Sequence, residues 1–238
     1  PLKFSAVMLK ESQGNPKYIE YMMKDLYAKG ELFFSPNGYW EIKTKKYSDI
    51  YFPSTMDEAL KSQISLIKDE YKGIMKIISV YYNAVSKNTL QIILNMDIDS
   101  LNEKLNELVA MRLLDVRVSD WGYSYSINNI QLKRLIYYQI PEEERVEIHK
   151  EVAKHLEKKY SSNYKTIMDE LIYHLMSSNQ EEKALKYIVE DAREEHLYGS
   201  QSILLWEEAY EIDRALKSEY RMEILKNLGD IYAIKGEN

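Results

Sequence analysis

Apolar residues recur at every third or fourth position along most of the chain, which is the spacing of one buried helix face. The clearest run lies between residues 55 and 80, where the apolar positions share one face: Leu60, Ile64, Ile67, Tyr71, Ile74 and Ile78. In front of this run, Thr55-x-x-Glu58 has the spacing of a capping box. The pattern therefore predicts a single long helix in this part of the chain.

Glycine and proline mark helix ends near the start of the chain. Residues 2–9 predict a short helix that Gln13-Gly14 closes. Asn15-Pro16 then predicts the start of a second helix, because proline suits the first helical turn. Gly30 is expected to end that second helix.

Two stretches break the helical pattern and predict β-hairpins. In the first, residues 31–34 and 39–43 flank the turn sequence Pro36-Asn37-Gly38. In the second, residues 113–118 and 123–127 flank the turn at residues 119–122. The polar and aromatic residues 44–53 predict a linker or a short third strand.

The second hairpin follows three predicted helices. Residues 86–94 predict a short helix, and Ser100-x-x-Glu103 has the spacing of a capping box for the next one, which carries Leu101, Leu105, Leu108 and Met111. Three helices followed by a hairpin is the winged-helix layout, a variant of the helix-turn-helix. Residues 55–140 are therefore expected to form a winged-helix domain.

From Pro141 onward the sequence predicts helices only. Glu142, Glu143 and Glu144 suit a first helical turn, and an apolar stripe follows: Val146, His149, Val152, Ala153 and Leu156. Ser178-x-x-Glu181 is a third possible capping box, and residues 204–212 predict another helix. Leu225-x-x-Leu228-Gly229-x-x-Tyr232 matches the start of a tetratricopeptide repeat. Because the preceding helix pairs lack the fixed spacing of such repeats, we interpret them as degenerate repeats.

Composition excludes several classes of function. The net charge of −6 gives no general attraction for nucleic acid or acidic membranes. The chain has no cysteine, which rules out disulfides and thiolate metal sites and is compatible with a cytoplasmic location. No apolar run approaches the ~20 residues of a membrane span. We therefore expect a cytoplasmic protein with no membrane partner.

The sequence contains no motif of an enzyme or metal site. G-x-x-x-x-G-K-[ST], H-E-x-x-H, G-x-S-x-G and G-x-G-x-x-G are all absent. Asp97-Ile98-Asp99 lacks the glycine of a calcium loop, and turn or cap chemistry explains these aspartates better. His149 lies on the apolar stripe and is expected to be a packing residue, with His155 on another face. We expect no catalytic residue, no metal and no cofactor in this chain.

DNA binding is not favoured by the charges of the predicted winged helix. Between Ser86 and Ser126 there are six acids (Asp97, Asp99, Glu103, Glu107, Asp115 and Asp120) and four bases (Lys87, Lys104, Arg112 and Arg117). A surface that follows phosphates needs the opposite balance. A winged helix that packs and relays signals is therefore expected, with nucleic acid as an unfavoured partner.

Three local matches occur in one order along the chain: Glu11-Ser12-x-Gly14-Asn15-Pro16-x-Tyr18-Ile19-Glu20, then Leu101-x-x-x-Leu105-x-x-Leu108-x-x-x-x-Leu113-Leu114, then His149-x-x-x-Ala153-x-x-Leu156-Glu157 with residues 170–174 and 183–185. Together they resemble the region that follows the nucleotide-binding domain in bacterial STAND-type (AAA-like) signalling ATPases. The resemblance covers almost the whole chain. It implies lid-like helices with a β-hairpin (residues 1–54), a winged helix (55–140) and tetratricopeptide-like repeats (141–238).

The resemblance also implies a function. The chain would be a non-catalytic regulatory part of a larger ATPase, coupling nucleotide state and partner binding at the repeats to an output domain. Gly14, Asn15 and Pro16 would then contact the adenine of ATP or ADP held by an upstream domain. A simpler interpretation is that Gly14 ends one helix and Pro16 starts the next.

Two alternatives stay open: a winged-helix transcription regulator that binds DNA, and a plain tetratricopeptide-type scaffold that binds peptides. The chain begins without methionine and stops inside a repeat, which suggests an excised piece.

Overall fold

A computed structural model describes residues 2–44, 50–53, 55–65, 67–119, 122–160, 164–195 and 200–236. Within these residues the protein is mainly α-helical with two small antiparallel sheets, which confirms the predicted fold class. The helices are α1 (Leu2–Glu11), α2 (Pro16–Ala28), α3 (Met56–Ser65), α4 (Asp69–Val80), α5 (Lys87–Leu94), α6 (Ile98–Ala110), α7 (Ile130–Gln139), α8 (Glu142–Lys159), α9 (Met168–Met176), α10 (Glu181–Glu194), α11 (Ser200–Leu216) and α12 (Arg221–Lys235). A short 3-10 helix, Tyr164–Ile167, precedes α9.

Both predicted hairpins form. The first pairs β1 (Leu32–Phe34) with β2 (Trp40–Ile42). The second consists of β4 (Leu114–Ser119) and β5 (Gly122–Ile127), and β5 also pairs with β3 (Val85–Ser86) in the order β3-β5-β4. Asp120 and Trp121 of the predicted turn, and residues 45–49 of the predicted linker or third strand, lie outside the described residues. The described remainder of that stretch, Thr44 and residues 50–53, contains no strand.

Three local predictions are wrong. The single helix expected after residue 55 is two helices, and α4 starts separately with Asp69 and Glu70 in its first turn, where acids favour a helix start. Ser100 lies inside α6, which already begins at Ile98, and so it does not cap that helix. Ser178 caps no helix either, because its hydroxyl donates to the carbonyls of His174 and Leu175 at the end of α9.

The chain divides into two compact units. The first contains Pro1–Ser79, Asp99–Val116 and Ser126–Gln139, and among its described residues the core is mainly apolar and also buries the acid Asp25. The Asp25 carboxylate accepts bonds from the Ser62 hydroxyl at 2.6 Å and the Lys29 ammonium at 2.7 Å. The bond from Ser62 joins α3 to α2, and the two bonds together satisfy a charge that would otherwise be costly to bury.

The second compact unit contains Val80–Ile98, Arg117–Tyr125 and Ile140–Asn238. Helices α8 to α12 pack consecutively, each on the next, and α5 packs on α8. The unit therefore combines β3 and α5 of the predicted winged helix with the whole helical array. The boundaries predicted at residues 54 and 140 stay a prediction.

Candidate functional site

Helix α9 carries two polar residues into the interior of the second compact unit. The helix lies against both α8 and α10, and most of its side chains are consequently buried. Glu170 and His174 are four residues apart, so they lie on the same face of α9. Only 8% of Glu170 and none of His174 is exposed. Polar groups this deeply buried need hydrogen-bond partners.

His174 bridges a histidine and a carboxylate. Its Nδ1 lies 2.8 Å from Nδ1 of His149 on α8, and its Nε2 lies 3.2 Å from Oε1 of Glu170. Since an ionised carboxylate only accepts, Nε2 of His174 must carry the proton. In the neutral ring Nδ1 of His174 is then the acceptor, and His149 donates to it through Nδ1–H. The three side chains thus form one chain of hydrogen bonds directed toward Glu170.

Glu170 also holds the backbone that leads into strand β3. Its Oε1 accepts the Tyr82 N–H at 2.7 Å, and its Oε2 accepts the Asn83 N–H at 3.0 Å. Val85 follows two residues later and pairs with Tyr125 of β5. A single carboxylate on α9 therefore joins the helical array to the sheet edge within the second compact unit. We call Glu170, His174 and His149, with the two amides, the array anchor.

The protonation states of the array anchor are set by burial and hydrogen bonding. Burial, together with the neighbouring His174 and Arg145, lowers the pKa of His149 to about 3. Burial also lowers the pKa of His174, although Glu170 acts in the opposite direction. For Glu170, burial opposes ionisation, but the bonds from His174, Tyr82 and Asn83 outweigh it and lower the pKa. Near neutral pH the array anchor contains two neutral imidazoles and one carboxylate.

This arrangement is suited to holding structure in place. A carboxylate with a lowered pKa and both oxygens engaged is a poor general acid. A cleft of about 300 Å³ lies beside Glu170 and is lined by Ser86, Thr89, Lys159 and Thr166, among others. Within the described ranges no group of three or more metal-ligating side chains is assembled. Because its carboxylate binds the two amides that lead into β3, we interpret the array anchor as a mechanical connection between α9 and β3.

The predicted adenine contact, Gly14-Asn15-Pro16, forms the turn between α1 and α2 in the first compact unit. Gly14 has a φ of +78°, a conformation that favours glycine. The Asn15 side chain accepts the N–H groups of Lys17 and Tyr18, and Pro16 occupies the first turn of α2. All three residues are exposed. Helix capping explains each residue, and their proposed contact with a nucleotide stays a prediction.

Two polar residues of α6, which would be the recognition helix of a DNA-binding winged helix, bind α4 within the first compact unit. Lys104 is the only basic residue of α6, and its ammonium pairs with Glu70 of α4. Glu107 accepts a hydrogen bond from Tyr71, also on α4. These contacts leave α6 without an unpaired lysine or arginine for phosphate contacts.

Sequence reasoning identified part of the array anchor. His149 was expected to be a buried packing residue, and its burial is confirmed. Its pairing with His174, and the bonds of Glu170 to Tyr82 and Asn83, were missed. The available signal was the four-residue spacing of Glu170 and His174 inside the otherwise apolar helix α9. The distant amides could not be found this way, because they lie more than 80 residues earlier in the chain.

Comparison with models of known protein families gave no match, and no curated protein was found to be similar in sequence. Among the helices of the described residues, none has both the length and the apolar character needed to cross a membrane.

Proposed function

We propose that this chain is a non-catalytic regulatory part of a multidomain signalling ATPase of the STAND type. In this proposal a partner binds the helical array, and the array passes that event through packing to the predicted winged helix. The observation that carries the proposal is the array anchor, in which Glu170 binds the Tyr82 and Asn83 amides ahead of β3. A displacement of α9 would have to move or break these bonds.

The helical array offers the surface for a partner. Consecutively packed helices form extended surfaces that bind peptides and protein segments. Acidic residues outnumber basic ones in residues 141–238, which favours a basic partner segment. Partner binding to the array would then bias the position of α9, and the array anchor would carry the change to β3.

The nucleotide itself would be bound elsewhere. The chain contains no G-x-x-x-x-G-K-[ST] sequence to hold the phosphates of ATP or ADP. We therefore place the nucleotide in an upstream domain, with the exposed Pro16 against its adenine. The DNA-binding alternative is less favoured, because Lys104 of α6 is already paired with Glu70.

A direct test uses the full-length protein. We expect it to contain a phosphate-binding loop upstream of Pro1 and to hydrolyse ATP. Substituting Glu170→Gln should change the rate of ADP release, while Glu151→Gln, an exposed change on α8, should not. A full-length protein without a phosphate-binding loop would overturn the proposal, as would equal ADP release from wild type and Glu170→Gln.

A further inference from the structure

A second pocket lies within the first compact unit. Its volume is about 340 Å³, near the lower end of the ~300–1,000 Å³ range of small-molecule sites. The lining residues come from α2, the segment before α4, the turn between α6 and β4, the segment between β5 and α7, and α7 itself: Tyr21, Lys24, Tyr27, Ile67, Met111, Arg112, Leu113, Asn128, Asn129 and Leu132. We call it the α2–α7 pocket. Its size suits a small ligand.

The walls of the α2–α7 pocket are mainly apolar. Tyr21, Ile67 and Leu132 are buried and provide its interior surface. Tyr27 and Met111 also line the pocket but are 59% and 50% exposed, which places them at its opening. An apolar group entering the pocket would remove surface of Tyr27 and Met111 from water, and that burial would favour binding.

The charges that line the α2–α7 pocket have one sign. Lys24 and Arg112 contribute to the wall, and among the described residues that line the pocket none is an aspartate or glutamate. Lys24 is already paired with Glu20 at 2.8 Å, an exposed pair of modest strength. Arg112 is therefore the cation best placed to meet a ligand.

The backbone around Arg112 is fixed by Asn128. The Asn128 side chain donates to the Arg112 carbonyl, and its backbone N–H donates to the Leu113 carbonyl. Arg112 itself adopts a φ of +55° at this turn. A guanidinium presents paired N–H donors in a plane, a geometry that matches a carboxylate.

We propose that the α2–α7 pocket binds a small apolar carboxylic acid. Its aromatic or aliphatic body would occupy the space between Tyr21 and Leu132, and its carboxylate would face Arg112. Arg112 alone suits a single negative charge better than a phosphate ester with two. The site belongs to the first compact unit and does not depend on the proposed regulation by nucleotide.

Isothermal titration calorimetry on the 238-residue chain with two probes tests the proposal. The probes are 2-naphthoate and 2-naphthalenemethanol, which share the apolar body and differ in the charge. We expect 2-naphthoate to bind at least tenfold more tightly than the alcohol. Arg112→Gln should weaken 2-naphthoate about tenfold, a change of ~1.4 kcal/mol, and leave the alcohol unaffected.

Two further variants separate charge from shape. Arg134→Gln removes an exposed arginine of α7 that does not line the pocket, and it should leave both affinities unchanged. Met111→Trp should weaken both probes by filling the opening, and melting curves will verify that each variant is folded. The proposal is overturned if neither probe binds, if both bind equally, or if Arg112→Gln and Arg134→Gln behave alike.

Discussion

Replacing Glu170 by glutamine changes the array anchor by one atom and one charge. The carboxylate accepts three N–H groups, from Tyr82 and His174 at Oε1 and from Asn83 at Oε2. Glutamine offers a single oxygen, which can take the place of Oε1 and keep two of these bonds. Its amide nitrogen then faces the Asn83 N–H, and two donors oppose each other.

The expected loss of stability in Glu170→Gln follows from these three bonds. Hydrogen bonds to a charged group contribute about 1.5–3 kcal/mol, and neutral ones about 0.5–1.5. Two bonds are therefore weakened, and the third is lost. Burying a neutral amide costs less than burying a carboxylate, and the exposed Asn83 can partly recover its bond from water. We expect a net loss of roughly 2 kcal/mol for Glu170→Gln, a large effect for one substitution.

Amide hydrogen exchange measures this loss at the site itself. A loss of roughly 2 kcal/mol corresponds to about 30-fold faster exchange, if Tyr82 and Asn83 exchange by local opening. Exchange should therefore accelerate at these two amides and in the β3–β5 pairing at Val85. Glu151→Gln is the matched control, because it makes the same chemical change at an exposed position of α8. Its effect should stay within about 0.5 kcal/mol.

Two results would refute this reasoning. Unchanged exchange at Tyr82 and Asn83 in Glu170→Gln would show that the carboxylate does not hold β3. Faster exchange throughout α9 with no change at these two amides would show that Glu170 supports only its own helix. A thermal melt of each variant distinguishes local loosening from general unfolding.

Three further predictions concern acid stability, the first turn of α2 and ligand binding. Lowering the pH from 7 to 5 should lower the free energy of unfolding. Folded His149, with a pKa of about 3, stays neutral in this range, whereas an unfolded histidine gains a proton below about pH 6.5. His149 should therefore lower the free energy of unfolding by up to ~1.4 kcal/mol per pH unit. Urea titrations of wild type and His149→Gln across this range would measure it, and equal slopes would contradict it. Asn15→Ala should cost about 1 kcal/mol by removing a helix cap, whereas the exposed Pro16→Ala should change the melting temperature little; a larger loss in the proline variant would reverse this ranking. Calorimetry with magnesium and ATP, and anisotropy with a labelled duplex at ~50 mM salt, should show no tight binding by the 238-residue chain, and micromolar affinity in either would refute the corresponding expectation.

The sequence predicted helix starts and turns correctly where the residues that determine them are neighbours in the chain. The helix start at Asn15-Pro16, the turn at Pro36-Asn37-Gly38 and the acid-rich start of α8 each depend on neighbouring residues, and each forms as expected. The break between α3 and α4 was missed because the apolar period continues across it. Both helices bury the same stripe, so periodicity alone does not reveal where the backbone changes direction.

The array anchor illustrates a different limit of sequence reasoning. Its bonds join α8, α9 and the segment before β3, and no local pattern encodes which distant amide a buried carboxylate will meet. The physical requirement is nevertheless strict, because an unpaired carboxylate at this depth would be strongly destabilising. Apolar residues at these positions could pack in several registers, whereas Glu170 is satisfied only when Tyr82 and Asn83 are in place. Buried polar networks can specify one arrangement in this way. In the proposed function the same strictness suits a relay, since a shift of α9 relative to β3 must move or break the bonds of Glu170 to the Tyr82 and Asn83 amides.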